Sequence, residues 1–151
     1  MAEYITTADQ NVALNGDIPF NQVSSRCAKG TVLPVAPGLF TLRGGSNGNP
    51  AKYRVSISAN IQIPEGGAVT PVAIGITYDG VVLPESIAIK TLQAAEQYEH
   101  VYNEVTVTVP CGCCANVGAR YVDGTPDDAM TTGTPVITVR RNAALGVVRT
   151  A

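Results

Sequence analysis

The chain is short of charge. Lys, Arg, Asp and Glu make up 15% of its 151 residues, where about 25% is usual in a globular domain. The formal net charge is -2, and apart from the adjacent Arg140 and Arg141 the basic residues are scattered. That leaves no electrostatic case for a nucleic-acid partner, whose phosphates need a concentrated basic patch. Histidine is scarcer still, with His100 alone. Set against Cys111 or Cys114 it would make a minimal nucleophile and base, but no orienting motif frames any of the three. Glu85, Glu96, Glu99 and Glu104 form no paired arrangement that acid–base chemistry would require. The chain is therefore read as a non-enzyme, without catalytic residues. No stretch is long and apolar enough to span a bilayer, and the opening MAEYITTADQ lacks the basic region and apolar core of a signal peptide. The expectation is a chain with no membrane partner, folded in a cytosol, whose Cys27, Cys111, Cys113 and Cys114 are thiols rather than disulfides.

What is present is alternation. In KYRVSISANIQI, residues 52–63, the odd positions are Tyr53, Val55, Ile57, Ala59, Ile61 and Ile63, and the even ones are all polar. Successive side chains of a strand point to opposite faces, so this is one long β-strand with an apolar and a polar face. A helix would scatter the same residues around its circumference. The apolar face needs a second layer over it, which argues for two packed antiparallel sheets. The length suits one domain, with residues 1–8 as an arm or short edge segment and 9–151 as the domain.

The remaining segments fit that plan. Val12 and Leu14 alternate with polar neighbours, Asn15-Gly16 signals a tight turn, and Ile18 and Phe20 read as a second short strand. TVLPVAPGLFTLRG is interrupted by Pro34 and Pro37, which confine it to edge pieces near 31–33 and 39–43. GGSNGNP has the glycines of a phosphate loop but no Lys-Ser/Thr pair and helix after it, so it is a hairpin connection. Residues 69–78 form a strand with Val72, Ile74 and Ile76 on one face, closed by the Asp79-Gly80 turn. Val81–Leu83 and Ile87–Ile89 are split by Pro84. Residues 90–100 are helix-compatible but are read as a loop with one turn. Val101, Val105, Val107 and Val109 alternate with polar residues, and Val117, Ala119 and Tyr121 follow as a strand. The closing VITVRRNAALGVVRTA is apolar on both sides near its end, as suits the middle of a sheet at a subunit interface. Low charge and the need to cover strand edges favour a homo-oligomer.

Three clusters invite a chemical reading. In PCGCCAN, Cys111 and Cys113 would share a strand face and Cys114 would point away. A single C-x-C-C does not supply the paired knuckles of a structural zinc site, so buried or interface thiols are expected and no metal is assigned. Asp123, Asp127 and Asp128 lack the spacing of a calcium loop and read as a solvated turn. Of the six tyrosines, Tyr53 and Tyr121 sit on apolar faces and are expected inside, leaving Tyr4, Tyr78, Tyr98 and Tyr102 for a binding face.

NVALNGDIPFN, APGLFTLRG, YRVSISANIQI, VYNEVTVTV and the closing VITVRRNAALGVV together resemble the trimeric jelly-roll family. That family takes in tumour necrosis factor, the globular heads of complement and the tip domains of collagen-like spore-surface proteins. The pattern is also similar to small virion-surface proteins of tailed bacteriophages. The resemblance spans most of residues 10–150 and implies an all-β, two-sheet antiparallel jelly-roll sandwich assembled as a homotrimer. Ala143, Ala144, Leu145, Val147 and Val148, with Cys111 and Cys113, would meet their copies at the threefold axis. The function it implies is a capsid decoration or head-fibre protein. Such a protein binds the major capsid protein at the virion surface after assembly in a host bacterial cytoplasm, and needs no cofactor. The alternative is a carbohydrate- or receptor-binding adhesion module of a tail fibre or spore surface, directed at a host glycan or receptor. No collagen-like Gly-X-Y stalk precedes the domain, which favours decoration over a fibre, and the CGCC cluster lies outside the shared pattern.

Overall fold

A computed structural model describes residues 2–20, 22–25, 32–36, 39–45, 48–65, 71–91, 96–112, 114–123 and 136–150. Its strands, in chain order, are β1 (Ala2–Ile5), β2 (Gln10–Ala13), β3 (Gln22–Ser25), β4 (Val32–Ala36), β5 (Leu39–Arg43), β6 (Ala51–Gln62), β7 (Pro71–Tyr78), β8 (Val81–Val82), β9 (Ala88–Thr91), β10 (Glu99–Val109), β11 (Cys114–Asp123), β12 (Val136–Val139) and β13 (Ala144–Arg149). A 3-10 turn, Pro84–Ser86, separates β8 from β9.

The long two-faced strand is the spine. Along one edge β6 pairs with β10 from Ala51↔Val109 to Ile61↔Glu99. Along the other it pairs first with β13, over Tyr53 to Ser58, and then with β12, over Ile61 and Gln62. β1 and β3 continue the sheet beyond β13, and β2 lies beyond β12, giving seven strands. The second sheet runs β4-β5-β11-β7-β8, with β9 also on β7. All the pairings are antiparallel. The apolar face of β6 meets Phe40 and Leu42 of β5, Val72, Ile74 and Ile76 of β7 and Val117 and Tyr121 of β11 in one core. The fold is the two-sheet β-sandwich that the alternation implies.

Aromatic side chains join the layers. Tyr53 is fully buried, and its hydroxyl donates to the carbonyl of Arg43 at 2.5 Å. Tyr4 of β1 packs against Phe40 of β5 with ring centroids 4.4 Å apart. Each therefore combines a large buried apolar area with a fixed contact between sheets.

Several expectations are corrected. Residues 2–5 are not an arm: β1 is hydrogen-bonded to β13 on one side and β3 on the other. Ile18 and Phe20 are buried in the core, but their segment pairs with β11 only as the isolated Asp17↔Arg120 bridge and is no strand. β7 is not two-faced, because Ala73, Gly75 and Thr77 are as buried as Val72, Ile74 and Ile76. The cover over its outer face comes from Val82, Ser86 and Ile87, which stand over Gly75. Pro34 does not end its strand. It lies within β4 at the edge of the six-stranded sheet, where a missing N–H costs no ladder bond, and the register shifts between Pro34 and Ala36.

Candidate functional site

The positions named for a trimer seam divide between the core of the subunit and its surface. Ala143, Leu145 and Val147 are buried within the subunit, the last two completely, because β13 sits between β6 and β1 with these side chains turned into the core. Only Ala144 and Val148 reach the outer face of the sheet, both half-buried. Cys111 is exposed in the turn between β10 and β11, and Cys114 is exposed at the start of β11, so of the buried or interface thiols expected these two are not buried within the subunit. Cys27 and Cys113 lie outside the described residues, as do Asp127 and Asp128.

His100 stands at one end of β10 and Cys111 just beyond the other. Nine strand residues separate the ends, a span of about 30 Å at the rise of an extended chain. His100 and Cys111 are therefore not paired within the subunit. Among the described residues no three His, Cys, Asp or Glu side chains gather as metal ligands would.

What the fold does bring together is the polar face of the long strand. β10 is the outermost strand on its side of β6, and its even-numbered residues turn to solvent: His100, Tyr102, Glu104, Thr106 and Thr108 are exposed while Val101, Val107 and Val109 are buried. Across the ladder these stand beside Asn60, Ser58, Ser56, Arg54 and Lys52 in turn. The next strand adds Ala144 beside Ser58 and Gly146 beside Ser56. The middle of the face is thus paved with small residues. A Cβ on Gly146 would come within 3.1 Å of the Ser56 hydroxyl, so the floor there is already closely packed.

The larger groups line one side. Tyr102 is 55% exposed and donates its hydroxyl proton to Oε2 of Glu104 at 2.9 Å. The same carboxylate lies 3.9 Å from Nε of Arg54. That hydrogen bond first, then desolvation and the repulsion of Glu104, push the Tyr102 phenol above its ordinary value, with Arg54 opposing. His100 Nδ1 lies 3.2 Å from the side-chain oxygen of Asn60. Successive outward positions on a strand are about 6.7 Å apart, so His100 and Tyr102 form a row of two rings, which Tyr98 continues just before the strand begins.

Beyond Asn60 the face runs into an open groove of about 530 Å³ lined by Thr7, Ala8, Asp9, Tyr98, Arg140 and Arg141. The Arg140 guanidinium covers one face of the Tyr98 ring at 5.0 Å, a cation–π contact. The row was legible in the sequence as Tyr98-x-His100-x-Tyr102, a period of two. Only the pairing with β6 shows which polar residues share its face.

No family model and no curated protein matches the chain. Among solved structures it is similar to a sugar-binding protein, the EclA C-terminal domain, at 12% identity and a TM-score of 0.39, covering 95% of this chain and 79% of that one. It is also similar to the CBM22-1 xylan-binding domain from Paenibacillus barcinonensis Xyn10C, at 10% identity and a TM-score of 0.37, covering 99% of this chain and 94% of that one. Neither likeness is large enough to say what this chain binds.

Proposed function

We propose that the chain is a non-catalytic binding module whose ligand is a carbohydrate, held on the outer face of the seven-stranded sheet along β10. One observation carries this reading: exposed rings at His100 and Tyr102 are set directly beside the amide of Asn60 and the hydroxyl of Ser58. A sugar has apolar C–H faces that stack on rings and a rim of hydroxyls that need donors and acceptors, and this edge offers both on a flat, small-residue floor. The host-surface glycan named as the alternative in the sequence reading is a ligand of that kind.

The test is a glycan array probed with the intact chain, followed by calorimetry of Tyr102→Ala. Oligosaccharide binding is expected, and removing the ring weakens it about tenfold, the equivalent of ~1.4 kcal/mol. An array without binders overturns the reading.

One feature favours a second reading, the homotrimeric decoration protein of a virion shell. Ala144, Val148 and Ile5 are half-buried on the outer face around Gly146, Ser56 and Ser58, a small apolar patch bordered by Glu3, Arg54 and Glu104. A second copy seated there would bury it. Sedimentation at micromolar concentration separates the two readings: a trimer supports decoration and a monomer removes it.

A further inference from the structure

We infer that the groove beyond Asn60 receives the carboxylate of an acidic sugar, so that the ligand of this face is a uronate-type oligosaccharide. The inference rests on the carbohydrate reading above and adds the charge of the ligand.

The groove is built by backbone contacts that fix its two arginines. Arg140 N–H donates to the carbonyl of Asn60 at 2.9 Å. The buried Thr6 hydroxyl donates to the Arg140 carbonyl at 3.2 Å and accepts from Ala143 N–H at 3.0 Å. Asn142, in a left-handed conformation at φ 71°, donates its N–H to the Thr6 carbonyl at 2.7 Å. Oδ1 of Asp9 accepts the Arg141 N–H at 2.9 Å. The turn between β12 and β13 is thereby tied to the segment between β1 and β2, and Arg140 and Arg141 enter from a braced backbone.

Their charge is not neutralised as that of Arg54 and Arg120 is. Arg120 sits 2.8 Å from Asp17, and Arg54 sits 3.9 Å from Glu104. Among the described residues neither Arg140 nor Arg141 has an acidic group at ion-pair distance. Among the described residues Asp9 is the one carboxylate lining the groove, against two guanidiniums, and its bond to a backbone N–H holds it at the turn. The excess positive charge lies at the end of the ring row. From Tyr102 to Tyr98 is four residues, about 13 Å along an extended chain. A ligand stacked on Tyr102 and His100 therefore delivers its next units to Arg140. A planar carboxylate suits the guanidinium fork, and an oligosaccharide supplies one without losing its ring contacts.

The experiment is titration calorimetry of the intact chain with a galacturonate oligomer, its methyl ester and a neutral xylan oligomer, at low and high salt. Two variants accompany it, Tyr102→Ala and the double variant Arg140→Gln/Arg141→Gln. The double variant leaves every backbone bond of the turn in place, and an unchanged melting temperature checks this. The acid is expected to bind about fivefold tighter than its ester at low salt, with the advantage shrinking as salt rises. The double variant removes the acid's advantage over its ester, whereas Tyr102→Ala weakens both and keeps the advantage. If acid and ester bind equally, or the double variant leaves the acid's advantage intact, the inference is overturned while the carbohydrate reading stands on the Tyr102→Ala result. If simple sulfate displaces the acid at equal carboxylate concentration, the groove is a general anion site and the inference falls. If none of the oligomers binds, the inference falls, and the carbohydrate reading is decided by the glycan array.

Discussion

Ser86 shows how one side chain replaces a strand. β8 leaves β7 at Thr77 and β9 joins it only from Ile74, so, although the Ile76 carbonyl accepts the Leu83 N–H, the N–H of Ile76 faces a gap in the ladder. The fully buried Ser86 hydroxyl fills it, accepting the Ile76 N–H at 2.8 Å and lying 2.7 Å from the Leu83 carbonyl as a donor. Ser86→Ala leaves that N–H buried without a partner. It is expected to cost about 1–3 kcal/mol in urea unfolding with an unchanged m-value. Tyr102 makes a residue-scale prediction of another kind. Because its proton is held by the Glu104 carboxylate, the phenol ionises above the reference value of 10.0. A group whose folded pKa is raised adds stability below its unfolded pKa and loses it as pH climbs through the folded one. Ultraviolet titration should therefore find Tyr102 ionising late, as the difference between the chain and Tyr102→Phe, and Glu104→Gln should bring that difference back toward the ordinary range. An unchanged titration in Glu104→Gln would dismiss the Tyr102–Glu104 bond.

At the scale of elements, period-two patterns were legible wherever one face of a strand meets water. β6 and β10 follow the alternation of Val55, Ile57 and Val101, Val105, residue for residue. The Asp79-Gly80 turn also appears as read, with φ of 50° and 82° in succession. Alternation is silent where both faces are covered, because Ala73, Gly75 and Thr77 carry no apolar signal of their own. The cover over β7 comes from a segment that Pro84 seemed only to interrupt. Its closeness gives a third prediction: a Cβ at Gly75 would lie 2.6 Å from Cγ1 of Val82 and 3.3 Å from Cγ1 of Ile87. Gly75→Ala should destabilise by about 1–3 kcal/mol through overpacking, measured by thermal unfolding. The closing strand lies in the middle of a sheet, as its two-sided apolar run implied, but its neighbours there, β6 and β1, are not encoded in a linear pattern. The candidate site was half legible: Tyr98, His100 and Tyr102 announce a row, but Asn60, Arg140 and Asp9 join it only through long-range pairing.

At the scale of the molecule, the two sheets do different work. The six-stranded sheet carries its own cover over β7, while the seven-stranded sheet leaves β10 and the polar side of β6 to solvent. That asymmetry is the ground for placing the ligand on one face and not the other. The most direct measurement is a titration of the isotopically labelled chain with a bound oligosaccharide, followed by amide chemical shifts. The account predicts that shifts concentrate on β10 from His100 to Glu104, on Ser56 to Asn60 of β6 and on Arg140 and Arg141. Shifts gathered instead on β7, β9 or β11, with the Tyr102 strand unmoved, would contradict it.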